Sequence, residues 1–233
     1  MSSTASSRTF VSALVLALAG CATGAGDTFP LIHSDEFRHG LDQWHIEAEK
    51  PGRISAANGI LDIDVPAGVT LWFKPRLEGP VRIEFEATAV AEGGPNDQVS
   101  DLNVFWMANN ADGEQPVFAR QRSGAFGEYN DLLTYYVGLG GNRNTTTRFR
   151  RYIGDPVNRP ILPEHDLSGP AVLLAPNRRQ TITLIANGQT IEYRRGGERL
   201  FLLDDPAPYT QGWFALRTTF SHLRIQRLRI HQL

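Results

Sequence analysis

Residues 135–152 (YYVGLGGNRNTTTRFRRY) carry four Arg, two Asn and three Tyr without one carboxylate among them. If residues 145–152 form a strand, Arg148, Arg150 and Tyr152 fall on one face, because successive side chains of a strand alternate. Guanidinium groups on one face repel each other unless they stay wet or meet an anion. Two readings follow. One is a groove for a polar, acidic carbohydrate, with Asn142, Arg143 and Asn144 in the adjoining Gly-rich turn as further donors and acceptors. The other is a solvated, salt-bridged outer face.

Other residues join the candidate set. Asp101 and Asn103 share a face with Phe105, which sets two polar groups beside an aromatic on an otherwise apolar run. Trp106, Trp72 and Tyr135 are either stacking platforms for sugar rings or core residues. Glu84 and Glu86 share a strand face; paired carboxylates are what glycosidases use, but plain outward-facing polarity produces the same spacing. His165, between Glu164 and Asp166, is the best-placed histidine for acid–base work, or a lone loop histidine. There is no Gly-rich phosphate loop, no His-x-x-x-His pair and no nucleophile elbow, so no metal and no cofactor are expected. Lys50 and Lys74 are the only lysines, and 21 of the 23 basic residues are Arg. That disfavours a catalytic lysine and favours planar, two-pronged recognition of carboxylates.

The elements that must position these residues read as strands. Residues 61–65 (LDIDV) and 81–87 (VRIEFEA) alternate apolar and polar with period two, the pattern of half-buried antiparallel strands. Residues 181–186 run into Asn187-Gly188 and a second alternating segment, a hairpin signature. Gly196-Gly197 predicts another turn. The last strand is predicted to begin near His222, with Leu223 and Ile225 out of parity with Leu228 and Ile230. A one-residue bulge near Gln226-Arg227 restores the face. No amphipathic helix of ten residues is visible. Residues 108–130 and 138–180 read as long irregular segments, where function concentrates. About a dozen short strands imply an all-β fold, a two-sheet antiparallel jelly-roll sandwich.

The N-terminus reads as a processing signal over residues 1–20. Arg8 precedes a short apolar run, FVSALVLALA, too short to span a bilayer as a helix. Leu18-Ala19-Gly20-Cys21 matches a bacterial lipobox, in which the Cys is acylated and becomes residue one. Cys21 is the chain's one cysteine, so a disulfide within the chain is excluded. A tether over residues 21–30 then leads into a domain over residues 31–233. Ala22 after the Cys favours the outer membrane in a Gram-negative cell. Expected membrane contact is through the lipid alone, in the cell envelope, and a net charge of −2 gives no reason to expect nucleic acid.

Residues 212–217 (GWFALR) followed by 221–225 (SHLRI) resemble the concanavalin A-like lectin/glucanase fold. More narrowly, residues 101–106 (DLNVFW), 135–138 (YYVG) and 141–152 (GNRNTTTRFRRY) resemble the bacterial DUF6250 and YesU-like domains of that superfamily. Members are often found near pectin or rhamnogalacturonan utilisation genes. Glucanases of this fold carry a Glu-x-Asp-x-x-Glu strand; here residues 84–89 (EFEATA) lack the final carboxylate. Polysaccharide lyases of the fold neutralise a uronate with Arg, Asn or His and remove a proton with Tyr or His. The resemblance therefore implies an oligo- or polysaccharide partner and an acidic-glycan lyase. Tyr135 or His165 would be the base, Asn142, Arg143 and Arg148 would hold the carboxylate, and Asp101, Asn103, Trp106, Asn144 and Arg150 would line the site. The alternatives are a non-catalytic glycan-binding lipoprotein and a glycoside hydrolase.

Overall fold

The computed structural model describes Met1 and residues 29–113 and 115–233. Cys21 and the expected lipobox lie outside these residues. Fourteen strands follow one another: β1 (Leu31–Asp35), β2 (Trp44–Ala48), β3 (Arg53–Ala57), β4 (Ile60–Phe73), β5 (Leu77–Glu78), β6 (Val81–Ala89), β7 (Leu102–Asn110), β8 (Leu132–Gly140), β9 (Thr146–Ile153), β10 (Asp166–Ser168), β11 (Gln180–Asn187), β12 (Thr190–Arg195), β13 (Glu198–Asp204) and β14 (Gln211–Gln232). The strands pair antiparallel. Among the described residues the helical turns are four 3₁₀ turns and α1 (Gly141–Asn144), and no helix is long and apolar enough to cross a membrane.

β14 and β4 are long enough to serve two layers. The first half of β14 pairs with β7 and with the end of β4, completing a front layer ordered β10-β9-β8-β7-β14-β4-β2. The second half pairs with β6 and with the start of β4, completing a back layer ordered β13-β12-β11-β6-β14-β4-β3. The two strands cross between layers where their register shifts between Thr219 and Ser221, at Phe220 with φ of 44°. The product is an all-β antiparallel jelly roll.

The period-two rule works where only one face is buried. β6 shows strict alternation of buried and half-buried positions, with Val81, Ile83, Phe85, Ala87 and Ala89 in the core between the layers. The Asn187-Gly188 signal closes the β11–β12 hairpin, with Gly188 at φ of 57° in the first central position. Gly196 and Gly197, both at positive φ, turn β12 into β13. The bulge sits where expected: Gln226 opposes Glu86 but Arg229 opposes Glu84, with Arg227 at φ of 56°.

Two sequence expectations need correction. β14 begins at Gln211 rather than near His222, because residues 212–218 are buried on both faces and so carry no alternation to read. Residues 138–180 are not irregular throughout: they contain β9 and β10, paired with each other.

Candidate functional site

The outer, concave face of the front layer carries side chains in rows that run across the strands. In one row Arg148, Gly138, Asn103, Arg217, Thr70 and Glu47 stand opposite one another on β9, β8, β7, β14, β4 and β2. In the next come Arg150, Tyr136, Phe105, Ala215, Trp72 and His45. An insert between β7 and β8, described over residues 111–113 and 115–131, folds over part of this face. Val117, Tyr129 and Leu132 pack on Trp72, Phe105, Tyr152, Trp213 and Ala215 in a second apolar cluster. The buried Arg122 ties the insert together, donating to the carbonyls of Val117 (2.6 Å) and Glu128 (3.0 Å) and to Asn110 Oδ1 (2.9 Å). The buried Glu47 carboxylate accepts from Tyr129 Oη (2.7 Å) and Trp72 Nε1 (3.0 Å).

The uncovered part of the face is a cavity of about 540 Å³, within the usual size range of a small-molecule site. Asn103, Tyr136, Gly138, Arg148, Arg150 and Arg217 form its floor, and Glu49, Asp101, Phe126, Asn142, Arg143 and Arg159 its walls. Five guanidinium groups thus meet two carboxylates. Arg148 is committed to Asp166 through Nε (2.8 Å) and Nη2 (3.2 Å). Arg150 donates to the carbonyl of Arg159, and Arg159 lies over the rings of Phe126 and Tyr152. Arg217, 3% exposed, donates from Nη1 to Thr70 Oγ1 (2.7 Å) and to the carbonyl of Gly124 (2.8 Å), and stacks 5.0 Å from Phe126 and Tyr129. Among the described residues none of Arg143, Arg150, Arg159 and Arg217 has a carboxylate in ion-pair contact.

Burial shapes the protonation chemistry. It lowers the guanidinium pKa of Arg217 and Arg150 and raises that of Asp101, against hydrogen bonds from Ser100 and Asn103. It also pushes the Tyr136 phenol well above its ordinary range, reinforced by Tyr152 and Asp101, so Tyr136 presents a protonated hydroxyl. Asn103 is 3% exposed, and its Oδ1 has no hydrogen-bond partner. Gly138 keeps the floor open: a Cβ there would lie 2.7 Å from Tyr136 Oη and 3.2 Å from Asn103 Oδ1.

The rim is a left-handed turn. Asn142, Arg143 and Asn144 all take φ between 54° and 59°. Asn tolerates this conformation, whereas for Arg it costs roughly 1–2 kcal/mol. Thr145 Oγ1 donates to the Asn142 carbonyl (2.8 Å) and Asn142 Nδ2 to Thr146 Oγ1 (3.1 Å). Asn144 is spent on holding the turn: it exchanges two 2.9 Å hydrogen bonds with the Leu174 backbone.

Six of the expected site residues therefore meet in the cavity: Asp101, Asn103, Asn142, Arg143, Arg148 and Arg150. Four do not. Tyr135 points the opposite way from Tyr136, into the core, where its hydroxyl donates to Asp205 (2.7 Å) and accepts from Tyr209 N (3.0 Å). Trp106 is fully buried, stacked on Phe149 at 5.7 Å. His165 is buried against Phe149 and Phe201, with Nε2 3.0 Å from the Leu202 carbonyl. Asn144 is the turn's clasp. Trp72 is covered by the insert, and Glu84 and Glu86 lie away from the cavity, engaging Arg82, Arg179 and Arg227. Parity could have found two residues that sequence reasoning missed: Tyr136 alternates with Tyr135 and Val137, and Arg217 with Leu216. Glu49, Phe126 and Arg159 carried no local signal. Among the described residues no cluster of metal-ligating side chains forms.

No curated protein sequence matches the chain significantly. Among solved structures, a protein of unknown function with a galectin-like fold from Bacillus subtilis superposes with a TM-score of 0.66 at 16% identity, covering 87% of this chain and 96% of that one. LamA from Z. galactanivorans, solved in complex with laminaritriose and laminaritetraose, superposes with a TM-score of 0.57 at 13% identity over 87% of this chain and 98% of that one. A carbohydrate-binding module from Bacillus subtilis reaches a TM-score of 0.50 at 8% identity, over 83% and 94%. At such identities these likenesses speak to the fold. A family model matches residues 63–228, which take in every strand that floors the cavity, and the chain belongs to that family, the domain of unknown function DUF6250.

Proposed function

We propose that the concave cavity binds an anionic saccharide, with a uronate carboxylate seated among Arg143, Arg150, Arg159 and Arg217. One observation carries this reading: guanidinium groups converge on a pocket whose own carboxylates are too few to neutralise them. For Arg217, 3% exposed and without an ion-pair partner among the described residues, burial of the charge costs several kcal/mol, and a bound carboxylate offsets that cost. Asn103 Oδ1, buried and without a partner, adds an acceptor for a sugar hydroxyl. The fold of carbohydrate-binding modules and glucanases supports a saccharide over other anions, and pectin- or rhamnogalacturonan-like chains fit the charge.

The test is calorimetric titration of the protein with trigalacturonate and with a neutral trisaccharide. Binding of the acidic probe alone, weakened by Arg150→Lys, is the expected result. Equal binding of both probes, or of neither, overturns the reading.

A second reading, β-elimination, is favoured by the Tyr136 hydroxyl on the cavity floor. The α-proton of the seated uronate leaves to a base, a part the Asp101 carboxylate in the cavity wall can take, the C4–O bond breaks, and the leaving oxygen takes a proton from Tyr136, yielding an unsaturated uronate. Tyr136 stands on the cavity floor, whereas Tyr135, expected as the base, is buried against Asp205. The Tyr136 hydroxyl carries a proton that it can give to the leaving oxygen. Absorbance of the unsaturated product, lost in Tyr136→Phe, tests this; new reducing ends without that absorbance indicate hydrolysis instead.

We also propose that Cys21 is lipidated and holds the domain at the cell envelope. Palmitate labelling and membrane fractionation of wild type and Cys21→Ser test this. A variant that labels and fractionates like wild type refutes it.

A further inference from the structure

We infer that the cavity takes the end of a saccharide chain and not its interior, an inference that rests on the anionic-saccharide reading above. A chain bound through its middle needs a trough that is open on both sides. Here the concave face begins as such a trough, with rows that cross six strands, and half of it is filled.

The filling is specific. Within the row that starts at Arg148, the stretch from Arg148 to Arg217 lines the cavity, whereas Thr70 and Glu47, 0% and 4% exposed, are closed off from it. In the next row Phe105, Ala215 and Trp72 are all fully buried. The insert causes both closures. At Gly124 it presses backbone against backbone on β2: a Cβ on Gly124 would lie 2.8 Å from Glu49 N and 2.9 Å from Ala48 Cα. The carbonyl of Gly124 is held there by Arg217 (2.8 Å).

The last gap, over Gly68, is occupied by a side chain. Glu49 folds across it and accepts from Gly68 N at 2.5 Å. A Cβ on Gly68 would lie 2.2 Å from Glu49 Oε2 and 2.8 Å from the Gly124 carbonyl. A saccharide entering over β9 therefore runs into Gly124, Glu49 and the ring of Phe126. The carboxylate of Glu49 at this blind end also repels a further uronate.

The experiment compares oligogalacturonides of increasing length with polygalacturonate, each titrated against the full chain. Affinity is expected to stop rising after a few residues, and the polymer is expected to bind in proportion to its molar concentration of chain ends. Modifying one end, by borohydride reduction at the reducing end or by a 4,5-unsaturated residue at the other, is expected to abolish binding, while modifying the opposite end has no effect. Binding that follows total residue concentration and ignores both modifications overturns the inference and leaves the anionic-saccharide reading standing. No binding of any acidic probe overturns both.

Discussion

Arg217→Met separates a residue kept for a ligand from one kept for the fold. The change removes two charge-assisted hydrogen bonds, to Thr70 Oγ1 and the Gly124 carbonyl, each worth about 1.5–3 kcal/mol. It also removes a cation that is 3% exposed and has no carboxylate in contact, and burying such a charge costs several kcal/mol. The Met side chain lies against the same Phe126 and Tyr129 rings that Arg217 covers at 5.0 Å, and sulfur–aromatic contact is favourable. The opposing effects nearly cancel, so stability is expected to change by less than about 2 kcal/mol. At roughly 2–4 °C per kcal/mol for a domain of this size, Tm moves by under about 8 °C. Binding of trigalacturonate, by contrast, loses a charge-assisted bond and weakens by about 10- to 150-fold. Scanning calorimetry and titration calorimetry on the same preparation read both quantities. A variant that unfolds outright makes Arg217 a structural strut, and a folded variant with wild-type affinity removes it from the site; either result refutes the reasoning.

Arg151 and Arg150 are chain neighbours on opposite faces of β9. Arg151→Met strips Asp205, which is 2% exposed, of its 2.7 Å partner, and should cost about 3 kcal/mol while leaving ligand affinity intact, as thermal unfolding and titration will show. The two adjacent tyrosines should split likewise. Tyr135→Phe destabilises by about 1–3 kcal/mol through loss of the bond to Asp205, whereas Tyr136→Phe leaves Tm nearly unchanged and weakens binding or turnover. Gly138→Ala should block the ligand without unfolding the strand, because the added methyl meets Tyr136 Oη and Asn103 Oδ1; unchanged affinity would mean that the ligand sits elsewhere. Acid stability should depend on Asp97. Although its burial pulls the other way, the N–H groups of Gly94 and Glu92 and the His222 ring lower its pKa from 3.8 to about 2. Its folded pKa lies below the unfolded one, so the stabilisation is complete above about pH 4 and is withdrawn as pH falls toward 2. Asp97→Asn should flatten the unfolding free energy across that window.

How much could be read from the chain depended on which faces were buried. β6 and the β11–β12 hairpin were legible because one face meets the core and the other water, so apolar and polar residues alternate. The bulge at Gln226-Arg227 was legible as a break in that alternation. The start of β14 was not, because the core covers one of its faces and the insert the other, leaving residues 212–216 apolar throughout. The same double burial hides β7, where Asn103 and Phe105 share one face, with Asp101 just before the strand, but Trp106, on the other, could be read either as core or as a platform.

The site was half legible for a related reason. Arg148, Arg150, Asn142 and Arg143 are close in sequence and come from one hairpin, so strand parity and the Gly-rich turn bring them together. Arg159, Arg217, Phe126 and Glu49 arrive from a loop, a distant strand, the insert and the end of β2, and no local pattern joins them. Of the three aromatics that read as either core or platform, Trp106 and Tyr135 lie in the core and Trp72 lies under the insert. The concave face does carry Trp72, Phe105, Tyr152 and Trp213, but the insert uses their faces as a second core, where each large side chain contributes about 1.5–3 kcal/mol to stability. With those rings consumed, the open part of the face is left to guanidinium planes, the Asn103 amide, the Tyr136 hydroxyl and one wall ring, Phe126, which Arg159 and Arg217 already cover. A pocket so built gains little from a neutral sugar ring stacked on it and most from a carboxylate, and this is why charge rather than ring stacking is expected to decide which saccharide it holds.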